Sequence, residues 1–436
     1  EAFAAAVIDL LGSPQRRAAL AAAARDLALA EHDWRHVTPK LLDLYDRLTP
    51  ARMQPVSVIA TVLNERDSIS PLVDSLGAQS RPPDEVVVVD GGSTDGTREA
   101  LEAYQPSADE PSGSLGDPSH RPLVVSSARG TSEQGALAPS LHTVQMPAPR
   151  TSPPARPRSL RVLSAPGANI SQGRNRAIGA AAHDLIASTD AGVVLGQEWL
   201  ARLVAPLERD PRLQVTSGFF VAAPQSRWEL ALGATTLPAV EEIDPAHVLP
   251  SSRSVAFRRD AWQRAGGYPE WLDYCEDLVF DFALRRGSGP LRFVPRATVR
   301  FRPRPSIGSF FRQYYRYARG DGKADLWRKR HAIRYAAYLA GICLLWRGAC
   351  GHGGRPQRPA ALLALGLGGV AFLRRPLIRL VQQSESVIEF CLAAPLVPVA
   401  RVTGDVAKMV GYPAGLWWRL CHLCRRRSGS ACSADA

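Results

Sequence analysis

Two β-branched runs, each ending in polar residues and each followed by a helical pattern, constrain this chain most. VSVIATVLNE (56–65) and EVVVVDGGSTDGT (85–97) are the runs; DSISPLVDSLGAQ (67–79) and TREALEAY (97–104) carry amphipathic helix spacing. Strand–helix–strand–helix with short connections folds as a parallel sheet with crossover helices. A continuous valine run fits a central strand buried on both faces. The rhythm resumes with LRVLSAPG (160–167), ISQGRNRAIGAAA (170–182), DLIASTDAGVVL (184–195) as one strand and EWLARLVAPLERD (198–210). It continues through QVTSGFFVA (214–222), SRSVAFRRDAWQRAGGYPEWL (252–272), YCEDLVFDFALRRG (274–287) and a short strand LRFVP (291–295). The expected class is α/β: a Rossmann-like, mostly parallel sheet with flanking helices.

Residues 105–158 interrupt that rhythm and are dense in Pro, Ser, Gly and Arg, so a disordered insertion is expected there. Residues 1–50 read as a helical extension. The first residue is Glu1, so a trimmed or partial chain is expected, and no basic flank with an apolar run marks a secretory signal. Seven cysteines in 436 residues exclude a disulfide scaffold.

Charge is unevenly placed. Residues 285–436 hold 27 Lys+Arg against 6 Asp+Glu, whereas residues 1–284 hold 26 against 35. The basic part is interleaved with apolar stretches at 335–346, 361–373 and 387–400, none of them reaching the roughly 18–20 residues of a spanning helix. Basic residues on both sides suit helices lying in, or dipping into, an anionic leaflet. Residues 331–436 are therefore expected to form membrane-associated helices, a soluble helical bundle being the alternative. No nucleic-acid module accompanies the charge, so nucleic acid is not an expected partner. Cys421 and Cys424 have CxxC spacing with no second pair at zinc-finger distance, so they are read as membrane-proximal thiols.

In an open parallel sheet, ligands bind beyond the carboxyl ends of the strands. Asn64-Glu65, Asp90 and Asp190 fall at such ends. Asp90 follows four valines, which puts its carboxylate at the sheet rim, able to accept from a base or ribose. Asp95 suits a turn or helix cap as well as it suits a ligand. The GGSTDGT turn lacks the GxxxxGK[ST] spacing of a phosphate-cradling loop and the GxGxxG dinucleotide pattern.

VSVIATVLNE, VVVVDGGSTDGT, GRNRAIGAA, STDAG and the CED segment, in this order, resemble the family 2 glycosyltransferases of the GT-A fold, from about residue 55 to 330. The resemblance implies that Thr61, Asn64, Glu65 and Asp90 hold the nucleoside of a sugar nucleotide. It sets Arg174 and Asn175 near the base or diphosphate; an exposed helix-start arginine is the alternative for Arg174. Asp190 takes the first carboxylate position of an Asp-x-Asp signature and would be the metal ligand for Mg²⁺ or Mn²⁺. Gly192 stands where the second Asp is usual, leaving one carboxylate, with phosphate and water to complete a hard divalent cation's shell.

Glu276 and Asp277 are the catalytic candidates, Asp277 preferred as the base that takes the acceptor's proton. Their alternative is a helix N-terminal acid that complements the dipole, and Asp273 is a weaker contender. Gln313, Arg316 and Tyr317 resemble the QxxRW signature of membrane-bound synthases, with Tyr in place of Trp. There an aromatic face would stack on sugar while Arg pairs with diphosphate; an interfacial helix resting on lipid is the alternative. Ser252-Arg253-Ser254 precedes a strand near the expected acceptor cleft. Residues 3–48 resemble the last helices of a family 4 glycosyltransferase.

The expected activity is transfer of a sugar, with inversion, from a nucleotide-sugar donor to a glycan or lipid-linked acceptor. The expected place is the cytoplasmic face of a bacterial membrane. A polyprenyl-phosphate sugar transferase and a catalytically silent membrane scaffold are the alternatives.

Overall fold

The computed structural model describes residues 2–29, 33, 37–38, 40–41, 53–104, 157, 159–289, 291–350 and 357–431. The insertion expected at 105–158 and the last part of the N-terminal extension lie outside the described residues, apart from Pro157. The chain divides into two compact units, residues 1–54 with 205–212, and residues 55–204 with 213–436. In the first, helices α1 (Ala2–Gly12) and α2 (Pro14–Leu27) follow one another, with Pro14 opening the second.

The second unit is built on an eight-stranded sheet. Strands β1 (Val56–Val62), β2 (Glu85–Asp90), β3 (Leu160–Ser164) and β4 (Leu185–Ser188) come first. After them come β5 (Val193–Leu195), β6 (Val215–Ala222), β7 (Val255–Arg258) and β8 (Arg292–Phe301), in the order β3-β2-β1-β4-β7-β6-β8-β5. β3, β2, β1 and β4 are parallel neighbours, β7 runs antiparallel to β4 and β6, and β8 is parallel to β6. The sheet is mixed. Every residue of β2 is buried, as its valine run requires.

The crossover helices are α3 (Arg66–Gly77), α4 (Thr97–Glu102) and α5 (Ile170–Ala180), followed by α6 (Trp199–Arg209) and α7 (Arg227–Thr236). α3 buries Ile69, Leu72, Val73 and Leu76, the i, i+3, i+4, i+7 stripe that its sequence carries. α5 is closed by a capping box between Asn169 and Gln172 and packs tightly on β1. A Cβ on Gly173 would come within 2.7 Å of Thr61 Cγ2.

The structure departs from the sequence reading at 184–195. The single expected strand is two: β4 ends at Ser188, and β5 starts at Val193 and pairs antiparallel with β8 at the opposite edge. The polar Thr189–Gly192 turn carries the chain away from the central strands, and Asp190 sits in that turn.

α8 (Arg259–Ala265) and α9 (Glu276–Ser288) precede β8; α10 (Ile307–Ala324) follows it. Then come α11 (Arg328–Cys350), α12 (Gln357–Gln383), α13 (Val387–Ala393) and α14 (Leu396–Ala431). The first two apolar stretches, 335–346 and 361–373, lie inside longer helices that continue through their charged flanks, whereas 387–400 spans α13 and the start of α14. Two segments, Pro359–Gln383 and Val387–His422, are long and apolar enough to cross a membrane by length and composition. α14 runs parallel to α10 at backbone contact. Gly411 faces the Tyr315 carbonyl, Gly415 the Arg319 carbonyl and Gly322 the Tyr412 carbonyl, and a Cβ at each would lie within 2.4 Å of its neighbour. Arg334–Asp405 (2.9 Å) and His331–Asp321 (3.2 Å) tie α11 to the same pair.

Candidate active site

The carboxyl ends of the parallel strands carry the donor-side candidates. Asp90, at the end of β2, is 1% exposed, and its Oδ1 accepts from Ser93 N (3.0 Å) and Ser93 Oγ (2.6 Å). Asn64 adopts the left-handed backbone region (φ 56°), and its Oδ1 accepts from Thr94 N at 2.9 Å. Glu65 accepts from Ser68 through its carboxylate, while its backbone N donates to Thr97 Oγ1 (2.8 Å). Asp95 holds the turn by accepting from Arg66 N and Thr97 N, its capping role. Thr61, half-buried on β1, packs against Gly173. Asn64, Asp90 and Glu65 thus build and brace the Gly91–Gly96 turn over the sheet rim.

Asp190 and the acidic pair converge. The Arg174 guanidinium, with a side chain 3% exposed, donates through Nη2 to Asp190 Oδ1 (2.8 Å) and through Nη1 to Glu276 Oε1 (2.7 Å). One planar fork from α5 therefore joins the β4 turn to the start of α9, across 16 and 102 residues of sequence. Arg174 is no exposed helix-start arginine. It lies 5.2 Å from the ring of Tyr268, which stacks on Phe280.

Glu276 is buried, whereas Asp277 is half-buried and accepts from Leu278 N through Oδ1 (2.9 Å). Burial raises the pKa of both acids. Glu276, with Asp277's charge as the second cause, is pushed up to about 7. Asp190 moves the other way: burial opposes its charge, but Arg174 and Arg253 outweigh that and hold it below its ordinary value. Neighbouring groups pushed apart in this way are candidates for acid–base work. Just before the pair, Cys275 has φ 64°, and its buried thiol donates to the Tyr317 carbonyl at 3.1 Å, docking α10 against α9.

Asn175, by contrast, is committed to structure. Its amide donates to the Tyr268 carbonyl (2.9 Å) and Glu270 Oε1 (3.0 Å) and accepts from Trp262 Nε1 (3.1 Å) and Tyr268 N (2.9 Å). It shapes the Gly266–Gly267 turn, both glycines at positive φ, that presents Tyr268. Gln313 donates to the Tyr317 hydroxyl at 2.8 Å, one turn along α10. Arg316 lies on the exposed side of α10, donating to the Tyr274 hydroxyl at 2.8 Å. Asp273 accepts from Arg319 (2.9 Å) and Lys323 (3.0 Å).

Arg253 is the member that residue patterns identified least. Its Nε lies 3.3 Å from Asp190 Oδ2, and its guanidinium stands 4.9 Å from the Phe301 ring centroid. The flanking serines explain the Ser-Arg-Ser motif. Ser252 Oγ bonds the Tyr268 hydroxyl (3.0 Å), and Ser254 Oγ accepts from Trp199 Nε1 (2.8 Å). Gly218 permits the close approach behind them, since a Cβ there would sit 2.0 Å from Ser254 Oγ. A serine-flanked arginine before a short strand was the available signal.

Among the described residues, no group of three or more His, Cys, Asp and Glu is placed to hold a metal ion. Both Asp190 oxygens face guanidinium groups. The donor set fits a divalent ion only as a single protein carboxylate, with substrate phosphate and water completing the shell. Gly192 is exposed, with open space where a side chain would begin.

Residues 57–114 match the family described as Glycosyl transferase family 2. The chain is similar to the solved mannosyltransferase PcManGT from Pyrobaculum calidifontis in complex with GDP-Man and Mn²⁺. Identity is 19%, over 88% of this chain and 98% of that one, with a TM-score of 0.48. It is also similar to S. aureus TarS 1-349 in complex with UDP, at 17% identity over 83% and 90% of the two chains and a TM-score of 0.38. No curated protein matches the chain.

Proposed function

We propose that this chain, a glycosyltransferase by its family 2 segment, moves a sugar with inversion from a nucleotide-sugar donor to a glycan or lipid-linked acceptor. The observation that carries the reading is the Arg174 fork, which holds Asp190 and Glu276 in one buried cluster, with Asp277 beside them. Glu276 is occupied by Arg174, whereas Asp277 keeps solvent access and is the base. It takes the acceptor hydroxyl's proton as the acceptor oxygen bonds to the anomeric carbon. The bond from that carbon to the diphosphate breaks, and its electron pair leaves with the diphosphate. The Asn64–Asp90 rim is the nucleoside side of the cleft. It stands two strand spacings, ~10 Å, from the β4 end, since β1 lies between β2 and β4. Calorimetric titration with UDP-, GDP- and dTDP-sugars tests the reading; no binding of any of them would overturn it.

A divalent cation, Mg²⁺ or Mn²⁺, would be held by Asp190, and when bound it neutralises charge on the diphosphate. Because that is one carboxylate, Mn²⁺ alone is expected to bind weakly. Gly192→Asp has the space to fold normally and restores a second carboxylate. It is expected to raise nucleotide-free Mn²⁺ affinity by about tenfold or more, read by calorimetry.

The helices α11–α14 are read as seating the catalytic unit on the cytoplasmic face of a bacterial membrane. Supporting this, Leu339, Ile342, Leu345, Leu362, Leu363, Leu367 and Val370 are exposed, in a part of the chain rich in arginine. The full chain is expected to sediment with phosphatidylglycerol vesicles and far less with phosphatidylcholine vesicles. Salt is expected to weaken the anionic preference. A chain that stays in the supernatant with both would remove the membrane from this reading.

A further inference from the structure

We infer that Arg253, rather than Arg316, supplies the guanidinium that meets the leaving diphosphate. The inference rests on the glycosyltransferase reading and adds a residue to it. The QxxR spacing directs attention to Arg316, but α10 turns that side chain outward, where it bonds the Tyr274 hydroxyl and lies 5.5 Å from the Tyr274 ring centroid. Among the described residues, no hydrogen bond or ion pair joins Arg316 to Asp190, Glu276 or Arg174. Arg253 comes from the other side of the sheet's β4–β7 pair and reaches Asp190 Oδ2 at 3.3 Å.

Three features equip Arg253 for a phosphate. Its guanidinium stands close to the rings of Phe301 (4.9 Å) and Phe220 (5.9 Å), which limit the orientations of its planar fork before any ligand arrives. Its neighbours Ser252 and Ser254 are 4% and 1% exposed and bonded on both sides, so the backbone beneath it is fixed. Its side chain is 25% exposed, against 3% for Arg174, whose two terminal nitrogens already serve Asp190 and Glu276. A diphosphate brought to this carboxylate-rich cluster needs a cation that can still be reached, and Arg253 meets that need.

Tyr317 completes the arrangement. Its hydroxyl accepts from Gln313 at 2.8 Å, and its carbonyl accepts from the buried Cys275 thiol at 3.1 Å, which sets this part of α10 against the start of α9. The Gln and aromatic positions of the QYYRY segment therefore bond to each other and to the start of α9, while the segment's own arginine faces away. In the transfer step the sugar–phosphate bond breaks with its electron pair on the diphosphate oxygen, and Arg253 donates N–H bonds to phosphate oxygens as that charge develops.

The test compares calorimetric affinities of the full chain for UDP against UMP, GDP against GMP and dTDP against dTMP. Wild type is expected to bind its diphosphate about tenfold or more tighter than the matching monophosphate. Arg253→Met is expected to bring that ratio close to one, with monophosphate affinity kept and thermal unfolding confirming the fold. Arg253→Lys, which keeps the charge but loses the fork, is expected to give an intermediate ratio, and it decides the matter if the Met variant does not fold. The inference is overturned if wild type shows no preference for the diphosphate, or if Arg253→Lys and Arg253→Met keep the full ratio. It is also overturned if the ratio collapses in Arg316→Ala and not in Arg253→Lys. Wild type that binds none of the six nucleotides overturns the glycosyltransferase reading itself.

Discussion

Asp277→Asn is expected to lower sugar transfer by about 10²–10⁴-fold, the range that a positioned general base contributes. Donor affinity and the unfolding temperature should stay near wild type, because Asn keeps the shape and the bond from Leu278 N. A silent scaffold would show no change in any of these. The pH profile gives a second reading. A base works ionised, and burial raises the pKa of Asp277 and takes Glu276 to about 7. The acid limb of kcat/KM should therefore lie above the ordinary carboxylate range near 4, with activity falling as pH drops through it. Arg174 and Arg253 pull Asp277's pKa down, while Asp190 pushes it up. Glu276→Gln removes a neighbouring negative charge and leaves Arg174 free to act on Asp277. Its acid limb should move to lower pH; an upward move would contradict the coupling described here.

Arg174→Met is expected to destabilise the protein by roughly 3–5 kcal/mol, the cost of removing one partner from a buried ion pair. The guanidinium is shared, so its loss leaves both Asp190 and Glu276 without their main counter-charge. Arg174→Lys should recover only part of the loss, since one ammonium does not reproduce two divergent N–H bonds. Urea unfolding at pH 7.5 and pH 5.5 separates charge from packing. Without Arg174 the acids take up protons more readily, so the deficit should be smaller at pH 5.5. A deficit equal at both pH values would show that Arg174 acts through packing alone.

Several parts of this site were legible from local pattern. The valine run of β2 placed Asp90 at the sheet rim, and the helix beginning at Asn169 placed Arg174 in its first turns. The acids at the start of α9 were readable as helix-terminal residues. Other parts were not. Asn175 stands beside Arg174 in sequence, yet successive helix positions point about 100° apart, and its amide is taken up by the Tyr268 loop. Arg316 and Tyr317 differ in the same way: Tyr317 is half-buried and bonded to Gln313, while Arg316 faces outward on Tyr274.

The sequence alone determined the periods: β-branched runs that must be buried, amphipathic helices that must cover them, and polar turns at strand ends. Those are local properties, set by side-chain shape and spacing, and they established the α/β class and pointed to the strand-end edge as the candidate site. The tertiary structure decided which charges meet. Arg174 bridges Asp190 and Glu276, and Arg253 reaches Asp190, only because β4, β7, α5 and α9 are neighbours in space. Charge pairing inside a protein depends on distances of a few ångströms between segments up to a hundred residues apart, and spacing along a chain carries no record of those distances.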